Sequence, residues 1–166
     1  MTLAAMLVIG GGVAATVVDI RHRRVPNVLT MGLASVGLVL AMTGFGTVTV
    51  GAALGGLAAG LALLLPAHVF GATGAGDVKL LAAFGALLGP AMVFDAFVRA
   101  AILGGVMALA VAVWRGRLRE TLYGTAMLVT TRSRAMTAVI EHPAANNRFP
   151  YAPAVALGAA MAALGW

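Results

Sequence analysis

The chain of 166 residues has no cysteine, and charged residues make up only 10% of it. The lack of cysteine excludes disulfides, a cysteine nucleophile and a cysteine-based zinc site. A soluble domain usually carries about 25% charged residues. Hydrophobic residues make up 61% here, too much apolar surface for a core of this size to hide, so the solvent is lipid. No basic run is interleaved with aromatics, which total 6%. The net charge of +6 therefore does not read as a nucleic-acid surface, and no nucleic-acid partner is expected. In a membrane chain such basic residues mark the loops on the cytoplasmic side. No positive charge precedes the first apolar run, whereas Arg21, Arg23 and Arg24 follow it. A cleavable signal peptide has the reverse polarity. The run is read as a retained helix with its N-terminus outside.

The apolar runs predict an all-α integral membrane protein of about six transmembrane helices, one polytopic domain over residues 1–166. The spans are approximately 3–20, 28–45, 50–70, 77–89, 91–114 and 151–166, with a cytoplasmic loop at 115–150. Pro26-Asn27 suits a helix start before the second span. Val78 to Trp114 as one helix would measure roughly 55 Å, too long for one crossing. Gly89-Pro90 is the natural break, since glycine ends helices and proline starts them. A break nearer Asp95 would even out the two lengths. Within the loop, Leu122 to Ile140 reads as an amphipathic helix on the membrane surface, with a disordered loop as the alternative. In this topology every lysine and arginine except Arg99 falls on one side, and Asp95 stands one turn before Arg99 as its partner.

Acidic residues are the scarcest chemistry in the chain: Asp19, Asp77, Asp95, Glu120 and Glu141. Asp19 and Asp77 both lie at cytoplasmic ends of apolar spans. Two crossings separate them, so both return to the same face at similar depth. Carboxylates at membrane depth are costly and usually functional. Each of them could also simply end its helix in water beside a basic neighbour, as Asp19 does beside Arg21. Around Asp77, Gly71, Gly74 and Gly76 allow a second chain to approach closely. Two facing aspartates suit acid–base chemistry on water, one taking its proton while the other polarises the carbonyl under attack. Like charges at close range cannot both stay ionised, so the pair shares a proton. The helix dipole favours charge on Asp77 at the start of its helix and disfavours it on Asp19 at the end of its own. Asp77 is thus expected to act as the base and Asp19 to hold the proton, although Arg21 and Lys79 lie near enough in sequence to blur this.

Three motifs resemble those of the type IV prepilin peptidases. Asp19-Ile-Arg21 leading to Val25-Pro26-Asn27 resembles their first motif, and Gly74-Ala-Gly76-Asp77-Val-Lys79 resembles their GxGDxK motif. Pro150-Tyr151-Ala-Pro153, opening the last span, also resembles theirs. The GxGD motif alone is shared with other intramembrane aspartyl proteases; the three together are more specific. The resemblance implies a membrane endopeptidase that removes a short basic leader from prepilins just before their hydrophobic helix. It maps the two family aspartates onto Asp19 and Asp77. Many bacterial members add an N-terminal cytoplasmic region with four cysteines and N-methylate the new pilin terminus. This chain, without cysteine and starting in its first span, resembles the short peptidase-only form of tight-adherence (Flp-type) pilus systems, and methylation is not expected of it.

The implied partners are a prepilin, as leader plus hydrophobic helix, and membrane lipids. The implied location is the cytoplasmic (inner) membrane of a bacterium or archaeon, with the active site on the cytoplasmic side. Gly74, Gly76, Lys79, Arg21, Pro26, Asn27, Pro150, Tyr151 and Pro153 are candidates for binding substrate or shaping loops. Lys79 could tune Asp77, bind a lipid phosphate or serve the structure. His68 reads as an interfacial residue rather than a catalyst. No cofactor is expected, and no histidine–carboxylate spacing suggests a metal site. The competing reading is a small transporter or channel subunit using the aspartates as a proton or cation site. Both aspartates at one face rather than mid-span count against it.

Overall fold

The structure is a computed structural model that describes residues 1–22, 24–69, 73–114 and 151–165. Among these residues it is all-helical, with α1 (Leu3–His22), α2 (Asn27–Thr43), α3 (Val50–Val69), α4 (Ala75–Leu88), α5 (Pro90–Trp114) and α6 (Ala152–Leu164). The expected surface helix Leu122–Ile140, Pro150, Glu120 and Glu141 lie outside the described residues, as do Arg23, Gly71 and Trp166. Three helices are long and apolar enough to cross a membrane: α1, α3 and α5 over Pro90–Val111. α2 and α6 are shorter apolar helices of 17 and 13 residues.

The long apolar stretch breaks at Gly89. Its φ of +82° lies in the left-handed region that glycine tolerates, and its amide donates to the Gly85 carbonyl at 2.8 Å. Pro90, which has no amide proton to donate, then opens α5. Asp95 therefore sits inside α5 and not at a break. It forms the pair expected with Arg99, Oδ2 to Nη2 at 2.9 Å.

α4 is the centre of the bundle. With 14 residues it is about 21 Å long, shorter than a hydrocarbon core of roughly 30 Å. Every residue from Leu80 to Leu88 is buried, as are Asp77 and Val78. It touches all five other helices. Phe84, fully buried, is the largest side chain at the core.

Small residues let the helices approach this closely. Gly56 of α3 and Gly85 of α4 meet backbone to backbone, and a Cβ on Gly60 would lie 2.7 Å from the Ala82 Cα. These contacts set α3 and α4 antiparallel. In lipid, such close backbone approach replaces the hydrophobic effect as the force between helices. The same device seats α6: a Cβ on Gly158 would lie 2.6 Å from the Ala96 carbonyl oxygen of α5, and one on Gly12 of α1 would lie 2.9 Å from the Ala156 Cβ. α6 is thereby wedged between α1 and α5, antiparallel to both, with its first residues beside the end of α1.

Candidate active site

Asp19 lies in the last turn of α1, and Asp77 is the third residue of α4. Their residues are only 7% and 6% exposed. The two carboxyl groups lie within electrostatic reach of each other. The crossing-parity argument thus places both at one end of the bundle, and the fold brings them together.

Local structure explains how each is held. Gly74 caps α4 in an extended conformation, and its amide donates to Asp77 Oδ2 at 3.1 Å. This is the carboxylate half of a capping box, which favours negative charge on Asp77. A Cβ on Gly74 would lie 3.2 Å from the same oxygen. Asp19 ends α1, where its own helix dipole opposes charge. The structure adds a group that the dipole argument did not contain: the Ala152 backbone N–H, at the start of α6, lies near the Asp19 carboxyl. Asp19 Oδ2 is buried with no hydrogen-bond partner among the described residues, and so is Thr73 Oγ1 just before Gly74.

The connector after Asp19 is clasped onto the start of α4. Val25 is buried, and a Cβ on Gly76 would lie 3.0 Å from the Val25 Cβ. Gly76 is thus the position where the second chain approaches. Pro26 caps α2, its carbonyl accepting from the amides of Leu29 and Thr30. Lys79 is exposed, and its Nζ donates to Asn27 Oδ1 at 2.9 Å. Residues two apart on a helix point to different faces, so Lys79 turns away from the bundle interior that buries Asp77. Of the roles open to Lys79, the structure displays a tie between α4 and α2.

The remaining candidates take different places. Arg21 is exposed at the end of α1. His68 Nδ1 is 3.0 Å from the Thr73 carbonyl oxygen, which ties the end of α3 to the approach to α4. Tyr151 precedes α6, its hydroxyl donating to the Ala100 carbonyl at 3.2 Å, and Pro153 is the second residue of that helix. Sequence reasoning singled out Tyr151 and Pro153 as a motif, but not the amide of Ala152 between them. Pro153 signals a helix start, and a helix start has free amides. Nothing in the sequence aims one of them at a carboxyl more than a hundred residues away.

Two buried carboxyl groups within electrostatic reach of each other, each near a backbone amide at a helix start, form an arrangement suited to moving protons on and off water. A search of the curated proteins and of the solved structures finds no match to this chain. A family model described as the type IV leader peptidase family matches residues 6–109, more than half of the chain and inclusive of both aspartates. The chain belongs to the type IV leader peptidase family.

Proposed function

We propose that this peptidase is a membrane-embedded aspartyl endopeptidase of the GxGD type. It removes the basic leader from type IV prepilin-like substrates of the Flp type, with Asp19 and Asp77 activating water. The observation that carries this reading is the burial of two carboxyl groups from separate helices within electrostatic reach of each other. Burying like charges together costs stability, and such an arrangement is typical of acid–base sites.

The pair holds one proton. Asp77, with the Gly74 amide on Oδ2, is the ionised member and takes a proton from water as its oxygen attacks the scissile carbonyl. Asp19 gives its proton to the carbonyl oxygen, and a neutral gem-diol forms. Asp77 then returns its proton to the amide nitrogen, Asp19 takes one back from the diol, and the C–N bond breaks. The leader leaves as a carboxyl and the pilin as an amine, with the pair again holding one proton.

The active site belongs on the cytoplasmic side of the inner membrane of a bacterium or archaeon. Arg21, Arg24 and Lys79 are exposed at the same end of the bundle as the aspartates, as the rule for basic loops requires. The six helices form one polytopic domain in this reading, with α4 buried in protein rather than facing lipid.

The test is co-expression with a candidate prepilin, following leader removal by gel shift for wild type, Asp19→Asn and Asp77→Asn. Cleavage by wild type and by neither variant is expected. Undiminished cleavage by either variant overturns the dyad.

A further inference from the structure

The matched family region ends at residue 109, yet α6 closes the site from beyond it. Resting on the dyad reading, we propose that the Tyr151–Ala152 start of α6 is a positioning element of the reaction. Tyr151 anchors the start of α6 on α5 and so holds the Ala152 amide beside the Asp19 carboxyl.

Three observations meet here. First, Asp19 Oδ2 is buried without a partner among the described residues, while the Ala152 N–H lies near the same carboxyl and α6 packs onto α1 at Gly12 and Ala156. The start of α6 thus borders a carboxyl oxygen that no described group satisfies. An N–H near a carboxyl favours its charged form, so the protonation of Asp19 depends on where the Ala152 amide stands. Second, Tyr151 is tied to α5 at two points: its hydroxyl donates to the Ala100 carbonyl at 3.2 Å, and its ring lies directly against Gly104. A Cβ at residue 104 would occupy the place of the ring. Third, Gly158 presses α6 onto Ala96 and Ala100 two turns further along, so α6 is held to α5 at two levels and cannot slide alone. Of these two levels only the Tyr151 one borders the aspartates. Tyr151 reaches Asp19 through the chain, by placing the next residue's amide, and is a positioning residue.

The clean variants come from both sides of the anchor. Tyr151→Phe keeps the ring and removes the hydroxyl. Gly104→Ala keeps the hydroxyl and displaces the ring. Each is compared with wild type and with Asp19→Asn, as purified full-length protein in detergent, on a prepilin-derived peptide that spans the leader junction. Misplacement of a catalytic group by a fraction of an ångström to one ångström costs between about tenfold and about a hundredfold in rate. The expected result is such a fall in kcat with KM unchanged, in both variants, with the thermal midpoint kept within a few degrees. Infrared spectra without substrate supply an independent readout. The Asp19 carboxyl band, identified as the signal lost in Asp19→Asn, is expected to shift in Tyr151→Phe and in Gly104→Ala.

The outcomes separate the two claims. If Asp19→Asn cleaves like wild type, the dyad falls and this proposal with it. If Asp19→Asn is inactive but both anchor variants keep wild-type kcat and an unmoved Asp19 band, the proposal alone is overturned. A rise in KM with unchanged kcat also overturns it, because Tyr151 would then be a substrate contact. Should one anchor variant fail to fold, the other decides on the same readouts.

Discussion

Asp77 and Asp95 lie in consecutive helices, each within the first two turns, and their surroundings are opposite. Asp95 is 47% exposed at its side chain and is gripped by Arg99 of its own helix, Nη2 to Oδ2 at 2.9 Å and Nε to Oδ1 at 3.1 Å. Asp77 is 6% exposed. Its described donor is a neutral amide, and the charged group nearest in kind is a second carboxyl. A carboxylate kept for stability is given a cation one turn away. A carboxylate given only dipoles and a like charge costs the fold free energy that no structural role returns. The difference is one of partner, and the proposed reading rests on it: chemistry at the start of α4, packing in α5.

The comparison breaks most directly by amide substitution. Asp77→Asn and Asp19→Asn are each expected to lower leader cleavage by about 10²–10⁴-fold, the usual contribution of positioned acid–base groups. Thermal unfolding in detergent is expected at the same temperature or higher, since each change removes a buried carboxyl beside another. A matching loss of activity in Asp95→Asn would erase the distinction between the two kinds of aspartate.

The second effect separates Asp77 from the helix that carries it. Gly60→Val places side-chain atoms where the Ala82 backbone lies, 2.7 Å from where a Cβ would begin. Overpacking of this kind typically costs about 1–3 kcal/mol. The expected readout is a lowered unfolding temperature, with cleavage per folded molecule retained. α4 would then be a scaffold whose stability is tunable apart from the chemistry at its start.

The helices were legible in the sequence because lipid leaves a strong signature. Apolar runs bounded by Arg21, Pro26-Asn27, Gly89-Pro90 and Tyr151 give all six helix starts or ends to within about two residues. That Asp19 and Asp77 share one end of the bundle was legible from parity, because two crossings return a chain to the same face. The face of Lys79 was legible in principle, since an offset of two on a helix turns it from Asp77. What could not be read is contact between helices. The glycines at 56, 60, 85, 104 and 158 announce close packing without naming a partner. That Tyr151 would anchor on Ala100, and Ala152 reach Asp19, depends on the rotation of α6 about its axis, which an apolar run with no polar face leaves open.

A third test sharpens the contrast at the rim of the site. The Lys79–Asn27 bond is exposed and ties α4 to α2. A double-mutant cycle with Lys79→Met and Asn27→Ala is expected to give a coupling of about 0.5–1 kcal/mol in stability. Cleavage should fall less than in either aspartate variant. Inactivation by Lys79→Met without any coupling to Asn27 would move Lys79 from the clasp to the chemistry.

The smallest effect is expected where the charge is best paired. Arg99 is 25% exposed and Asp95 47% exposed at their side chains, so solvent or headgroups share the pair and weaken it. Asp95→Asn keeps a hydrogen-bond acceptor for Arg99 and removes only the charge. Its expected cost is within about 1 kcal/mol, with leader cleavage unchanged. Arg99→Met should cost more, because it leaves the Asp95 charge without its cation. Asp95→Asn combined with Arg99→Met should recover part of that loss. The order follows from desolvation: removing one partner strands a charge, while removing both strands none. An equal cost in all three variants would mean that the pair acts through its apolar stems, and the cation beside Asp95 would no longer explain why that carboxylate differs from Asp77.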